Sequence, residues 1–127
     1  MNFYISGPMS GLPDFNRDAF NDLELNIRII CKSIDPVGNH RVFNPAQIEG
    51  ADQKSYKQLM RDCLWGMTYS SHFVQLPNWE HSHGALIEYS IAIALEMPII
   101  SSIDLPKWLL KKSWLLKNLN LTSGQKR

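Results

Sequence analysis

The sequence is short of the features that assign a protein quickly. It has two cysteines, Cys31 and Cys63, in 127 residues, too few for a disulfide framework. Each falls in an apolar helical pattern, which reads as a buried, reduced thiol. No apolar run is long enough to span a bilayer, and no charged-then-apolar leader opens the chain. Acidic and basic residues nearly cancel, at a net charge of +1, so the overall charge points to no nucleic acid and no membrane as partner. No three or four Cys and His side chains are spaced for a metal, and no cofactor motif, repeat or linker stands out. These absences predict one cytoplasmic globular domain with neither metal nor cofactor, of a length that suits one core.

What is present is an alternation of short apolar strands and amphipathic helices. Asn2 to Ser6 predicts a strand that breaks at GPMSGLPD, a loop with two glycines and two prolines. Asp14 suits the N-cap of a helix with Phe20, Leu23, Ile27 and Ile30 on one face. Arg41 to Asn44 predicts a second strand. A second helix over about Gln53 to Tyr69 would turn Tyr56, Leu59, Met60, Cys63, Leu64 and Met67 inward. His72 to Leu76 predicts a third strand, Ser82 to about Glu96 a third helix, and Pro98 to Ser101 a fourth strand. This order predicts a single-domain α/β fold over residues 1–104, a mostly parallel sheet with flanking helices of the Rossmann-like or flavodoxin-like kind. Residues 105–127 set Trp108, Leu109, Leu110, Trp114, Leu115, Leu116 and Leu119 among lysines, which predicts an amphipathic C-terminal helical extension. Ligands of such sheets bind at the carboxyl ends of the strands, so GPMSG and LPNWEHSHG open on one edge.

The chemistry concentrates there. Glu88 lies in a helix whose neighbours include Ile87, Tyr89, Ile91 and Ala92, and a carboxylate is rarely placed in such surroundings without a partner or a task. The loop that follows the first strand, with Ser6, Gly7, Met9, Ser10 and Gly11, offers backbone amides and hydroxyls that suit an anion such as a phosphate. Its plainer role is a tight turn that needs glycine. His81-Ser82-His83-Gly84 stands at the start of the third helix, where free amides point outward. Two histidines fall short of a zinc site, so they read as a polar rim that bonds a ligand. Trp79 can stack on a planar base or fill core. Asp62 lies on or beside the apolar stripe of the second helix, either as a solvated charge paired with Arg61 or as a second carboxylate at the cleft. Two converging carboxylates would divide nucleophile and acid between them, as in glycoside cleavage.

YISGPMSGLPDFN, RDC and LPNWEHSHGALIEYSIAIAL together resemble the DUF4406 family, part of the nucleoside 2-deoxyribosyltransferase-like superfamily and often encoded by bacteriophages. The likeness covers about residues 2 to 101. It implies cleavage or exchange of the N-glycosidic bond of a nucleoside or nucleoside 5′-monophosphate. Glu88 matches the family's nucleophile. Ser82 and Gly84, six and four residues before it, match positions that hold the phosphate. Asp62 matches an aspartate that assists the leaving base, and Tyr4 and Ser6 match a tyrosine and serine of the first strand. Where relatives carry an aspartate before the third strand, this chain has Ser71. The resemblance implies no cofactor, a small-molecule nucleotide or nucleoside as partner, and a homo-oligomer. It favours hydrolysis, with base transfer and nucleotide sequestering without turnover as alternatives.

Overall fold

The computed structural model describes residues 1–125, with side chains up to Leu119; Lys126 and Arg127 lie outside the described residues. The elements are β1 (Asn2–Ser6), α1 (Arg17–Ile34), β2 (Arg41–Phe43), α2 (Tyr56–Thr68), β3 (His72–Gln75), α3 (His83–Ala94), β4 (Ile99–Ser101) and α4 (Leu105–Gln125). The strands form one parallel sheet in the order β2-β1-β3-β4. The α/β fold expected from the sequence is the fold observed.

Alternation along β1 sorts the layers, because successive strand side chains point to opposite faces. Phe3 and Ile5 pack with Phe20, Leu23 and Ile27 of α1 and with Leu105 and Leu109 of α4. Tyr4 packs on the other face, with Cys63 and Met67 of α2 and Ala92 of α3. Burying each of these large side chains contributes about 1.5–3 kcal/mol. From β1 the chain goes to one side for β2 and then returns to the other side for β3. The connections diverge between β1 and β3, which leaves a crevice at their carboxyl ends.

Helix boundaries differ from expectation for local reasons. Asp14 does not cap α1. It lies in a 3-10 turn, Pro13–Asn16, with Phe15 and Asn16, and all three have positive φ (48°, 54° and 60°). Such a left-handed run costs about 1–2 kcal/mol per residue. It is tied down by Asn16 Nδ2 donating to the Pro8 carbonyl at 2.9 Å and by Arg17 Nε donating to Asp14 at 3.1 Å. The second helix starts at Tyr56, later than Gln53, because Ser55 forms a capping box with Gln58. Tyr56 is therefore in the first turn and exposed, not turned inward. Ser82 caps α3, its hydroxyl accepting from the Ala85 amide at 3.2 Å. That helix ends at Ala94, and Glu96 just beyond takes a left-handed φ of 55°.

Helix α4 is not a detached appendage. Leu105 and Leu109 are fully buried in the core, while Trp114, Leu115, Leu116 and Leu119 beyond them are exposed. Among the described residues no helix is long and apolar enough to cross a membrane.

Candidate active site

Glu88 sits in α3 facing the end of β1, and its two oxygens are taken by that one strand. The Tyr4 hydroxyl donates to Oε2, and Ser6 Oγ donates to Oε1 at 2.7 Å. The pairing follows from the period of two, since residues 4 and 6 share the face that meets α3. Glu88 is 6% exposed, and Tyr4 and Ser6 are fully buried. The Tyr4 ring is stacked between Phe43 and Phe73, at ring-centroid distances of 5.5 and 5.8 Å. Its position along the strand therefore fixes where the carboxylate is gripped.

The electrostatics follow from burial. Desolvation raises the Glu88 pKa, and hydrogen bonds from Tyr4, Ser6 and Cys63 pull it back. Burial first, and then the nearby Glu88 charge, keep the Tyr4 hydroxyl protonated well beyond its ordinary range, so Tyr4 remains a donor. Burial and the same carboxylate push the Cys63 thiol up to about 12. Cys63 is therefore a neutral weak donor beside Glu88, with none of the thiolate character that a nucleophilic cysteine needs.

Glu88 opens on a cavity of about 470 Å³. Gly7, Met9 and Ser10 line it from the loop after β1, and Ser82, His83 and Gly84 from the start of α3, as the sequence led one to expect. Gly7 is required by close approach, since a Cβ there would meet Leu76 Cβ at 2.7 Å. The free amides of the first turn of α3 and the uncommitted proton of the Ser82 hydroxyl give this end the character of an anion site. The remaining wall is largely apolar, with Phe15, Phe20, Ile48, Leu59 and Met60.

Three expected site residues lie elsewhere. Asp62 does not line the cavity; it is half-exposed and pairs with Lys54 Nζ at 2.7 Å. One residue along a helix turns a side chain by about 100°, so the cavity receives Cys63 and not its neighbour. Trp79 belongs to a 3-10 turn, Trp79–His81, and packs on Tyr89 with centroids 4.6 Å apart, away from the cavity wall. Gly11 also stands outside the lining and serves the loop through its φ of 79°. Ser71, at the amino end of β3, bonds the Asn2 backbone at 3.0 Å, on the opposite edge of the sheet from the cavity.

The structure adds residues that the sequence gave little reason to choose. Arg17 and Asp52 line the cavity and pair at 2.5 Å, and Arg17 also donates to the Ala46 carbonyl at 3.1 Å. Tyr56 joins the rim as well, where His81 stands as the reading of the two histidines expected. The only available signal was position, since Arg17 follows the loop after β1 and Asp52 precedes α2. Among the described residues, no group of three or more His, Cys, Asp and Glu side chains is placed to hold a metal ion.

Fold and site together define a parallel α/β protein whose crevice, at the topological switch between β1 and β3, holds a buried carboxylate gripped by two hydroxyls. The chain belongs to the DUF4406 family, a domain of unknown function, whose sequence model matches residues 1–101. That match takes in the whole sheet and the cavity and ends before α4. No curated protein matches the chain.

Proposed function

We propose that this protein is an N-glycosidase acting on a nucleoside 5′-monophosphate, with Glu88 as nucleophile. The observation that carries the proposal is the grip on Glu88. A carboxylate is buried at the floor of a nucleotide-sized cavity, aimed by Tyr4 and Ser6. The α3 amides with Ser82 supply an anion site, and apolar walls supply a place for a base.

In this scheme one Glu88 oxygen attacks C1′ from the face opposite the base. The C1′–N bond breaks through an oxocarbenium-like transition state, and the base leaves with the bonding electrons and takes up a proton. Water then attacks C1′ of the glycosyl ester, releasing the sugar phosphate and returning the carboxylate. Tyr4 and Ser6 hold the carboxylate in place and screen its charge without surrendering a proton. Asp62 has no direct part, because it faces Lys54; the base is protonated by a group at the cavity rim, where Asp52, His81 and His83 stand, or by water. The resemblance also favours a homo-oligomer in the cytoplasm.

A second reading has support of its own. Both Glu88 oxygens are occupied and desolvation disfavours its ionised form, which suits a nucleotide-binding protein without turnover. Incubation with each ribo- and deoxyribonucleoside monophosphate, followed by chromatography, separates the two. Released base supports the glycosidase, and incorporation of an added free base converts it to a transferase. Binding of a monophosphate with no base released assigns the cavity to sequestering or sensing. Neither binding nor release removes nucleotides as ligands.

A further inference from the structure

Among the glycines whose surroundings the structure describes, all but one have a local reason. A Cβ on Gly7, Gly38 or Gly66 would run into Leu76, Asp35 or Phe43, and Gly11 and Gly50 have positive φ. Gly84 has neither. A Cβ there would meet Met60 Cε at 3.5 Å and the Tyr56 hydroxyl at 3.8 Å, both ordinary contacts. The residue lies inside α3, where glycine is less stable than alanine. Packing and backbone give no reason for the missing side chain. The cavity does, because Gly84 lines it.

A helical Cα–Cβ bond tilts toward the amino end of its helix. At that end of α3 the amides of His83 and Gly84 have no acceptor within the helix. The next two are taken, Ala85 by the Ser82 hydroxyl oxygen at 3.2 Å and Leu86 by the Ser82 carbonyl at 2.9 Å. The space that Gly84 leaves open therefore lies between free amides and the Tyr56 hydroxyl. Tyr56 lines the same cavity, and its hydroxyl has no hydrogen-bond partner among the described residues. Its place is fixed by the start of α2. Ser55 Oγ accepts from the Gln58 amide at 3.2 Å and Gln58 Oε1 from the Ser55 amide at 3.1 Å, which makes Tyr56 the first helical residue.

Charge makes each neutral donor count. Among the described residues, Arg17 is the only lysine or arginine on the cavity wall, and Asp14, Asp52 and the Ala46 carbonyl already engage it. An anion at the start of α3 is then held by amides and hydroxyls, each a charge-assisted hydrogen bond. A phosphate has three terminal oxygens that accept from donors about 2.7–2.9 Å away, so it suits a gap with donors on opposite walls.

We propose that Tyr56 is a further substrate-binding residue, whose hydroxyl donates to the 5′-phosphate from the side opposite the α3 amides while Gly84 leaves the phosphate its room. The contact rests on the reading of the cavity as a monophosphate site. It adds α2 as a second jaw to an anion site otherwise built from α3 and the loop after β1.

The test compares the best nucleoside monophosphate of the ribo- and deoxyribo- panel with its own nucleoside, on the full chain. The readout is kcat/KM if base is released and Kd if it is not. Tyr56→Phe removes only the hydroxyl of an exposed side chain. It should weaken use of the monophosphate about tenfold, leave the nucleoside within about twofold and leave Tm unchanged. Gly84→Ala should melt at or above the wild type and still lose the monophosphate at least tenfold. Equal losses on both ligands for Tyr56→Phe, or no loss, overturn the contact, as does a Gly84→Ala variant that uses the monophosphate normally. A wild type that releases base while Tyr56→Phe is unaffected overturns the contact and leaves the glycosidase standing. Selective loss in a wild type that binds without releasing base supports the contact while the glycosidase falls. A wild type that binds no monophosphate overturns both.

Discussion

The Tyr4 hydroxyl donates to Glu88 across 84 positions of sequence, inside a fully buried contact. The bond stabilises the ionised carboxylate against desolvation, which otherwise favours its protonated form. Tyr4→Phe keeps the ring between Phe43 and Phe73 and removes only the donor. In the proposed glycosidase the Glu88 pKa should then rise, and the acidic limb of the rate profile should move to higher pH. Turnover at neutral pH should fall by roughly ten- to a hundredfold, on the scale of about 1.5–3 kcal/mol for a hydrogen bond to a charged group. An unmoved acidic limb with unchanged turnover would mean that the bond does not tune the reacting group.

Glu88→Gln should separate stability from activity. Loss of the nucleophile should lower turnover by several orders of magnitude while a monophosphate still binds. Stability should change in the opposite direction. The folded pKa of Glu88 is raised, so the folded state holds its proton more tightly than the unfolded state. At pH below the unfolded value both states are protonated and no penalty applies. As pH rises through the folded value, ionisation costs the fold stability. The glutamine variant escapes that cost, so its advantage should be absent at low pH and emerge as pH rises through the folded value. Thermal melts at several pH values check it, and a variant melting below the wild type at neutral pH would contradict the sign.

Much of this site was legible because it depends on periods. The strand–helix alternation gave the sheet; Tyr4 and Ser6 were marked by the family resemblance, and the twofold period of β1 accounts for both of them facing Glu88. The loop after β1 and the start of α3 were placed together by the rule that parallel sheets bind at their carboxyl ends. What was not legible turned on single-residue rotations and local competition. Asp62 and Cys63 are neighbours, and the apolar stripe of α2 is broad enough to admit either to the cavity. The start of α2 was misplaced because Ser55 out-competes the turn before it through a reciprocal cap. The left-handed run at Asp14, Phe15 and Asn16 contains no glycine to announce it, yet it carries Phe15 and Arg17 to the cavity wall.

Ser82 serves two purposes that one substitution can resolve. Its oxygen caps α3 by accepting from Ala85, and its proton is free for a ligand. Ser82→Ala should cost about 1 kcal/mol of stability through the lost cap. It should weaken use of a monophosphate by roughly 1–3 kcal/mol, the range for a lost hydrogen bond to a charged group. The matching unphosphorylated nucleoside should suffer little. Kinetics on the pair of substrates, with a melt of the same variant, distinguishes the roles. Equal losses on both substrates would leave Ser82 as a cap alone.

The last prediction concerns Asp62, the residue for which sequence and structure diverge most. The resemblance implies that it assists the departing base, yet it pairs with Lys54 at 2.7 Å and stands outside the cavity. The pair is more than a third exposed on each side, at 34% and 39%, and such pairs contribute about 0–1 kcal/mol. Asp62→Asn should therefore leave Tm within about 5 °C of wild type and turnover within about threefold. Asp52→Asn provides the contrast. Asp52 lines the cavity and is bound to Arg17, so its loss releases Nη2 of that guanidinium at the cavity wall, while Asp14 and Ala46 still hold the rest, and should change turnover or KM by tenfold or more. Steady-state kinetics on the two variants decides between them. A large fall in kcat for Asp62→Asn, with Asp52→Asn near normal, would mean that α2 turns or the Lys54 pair opens when substrate binds, bringing Asp62 to the base.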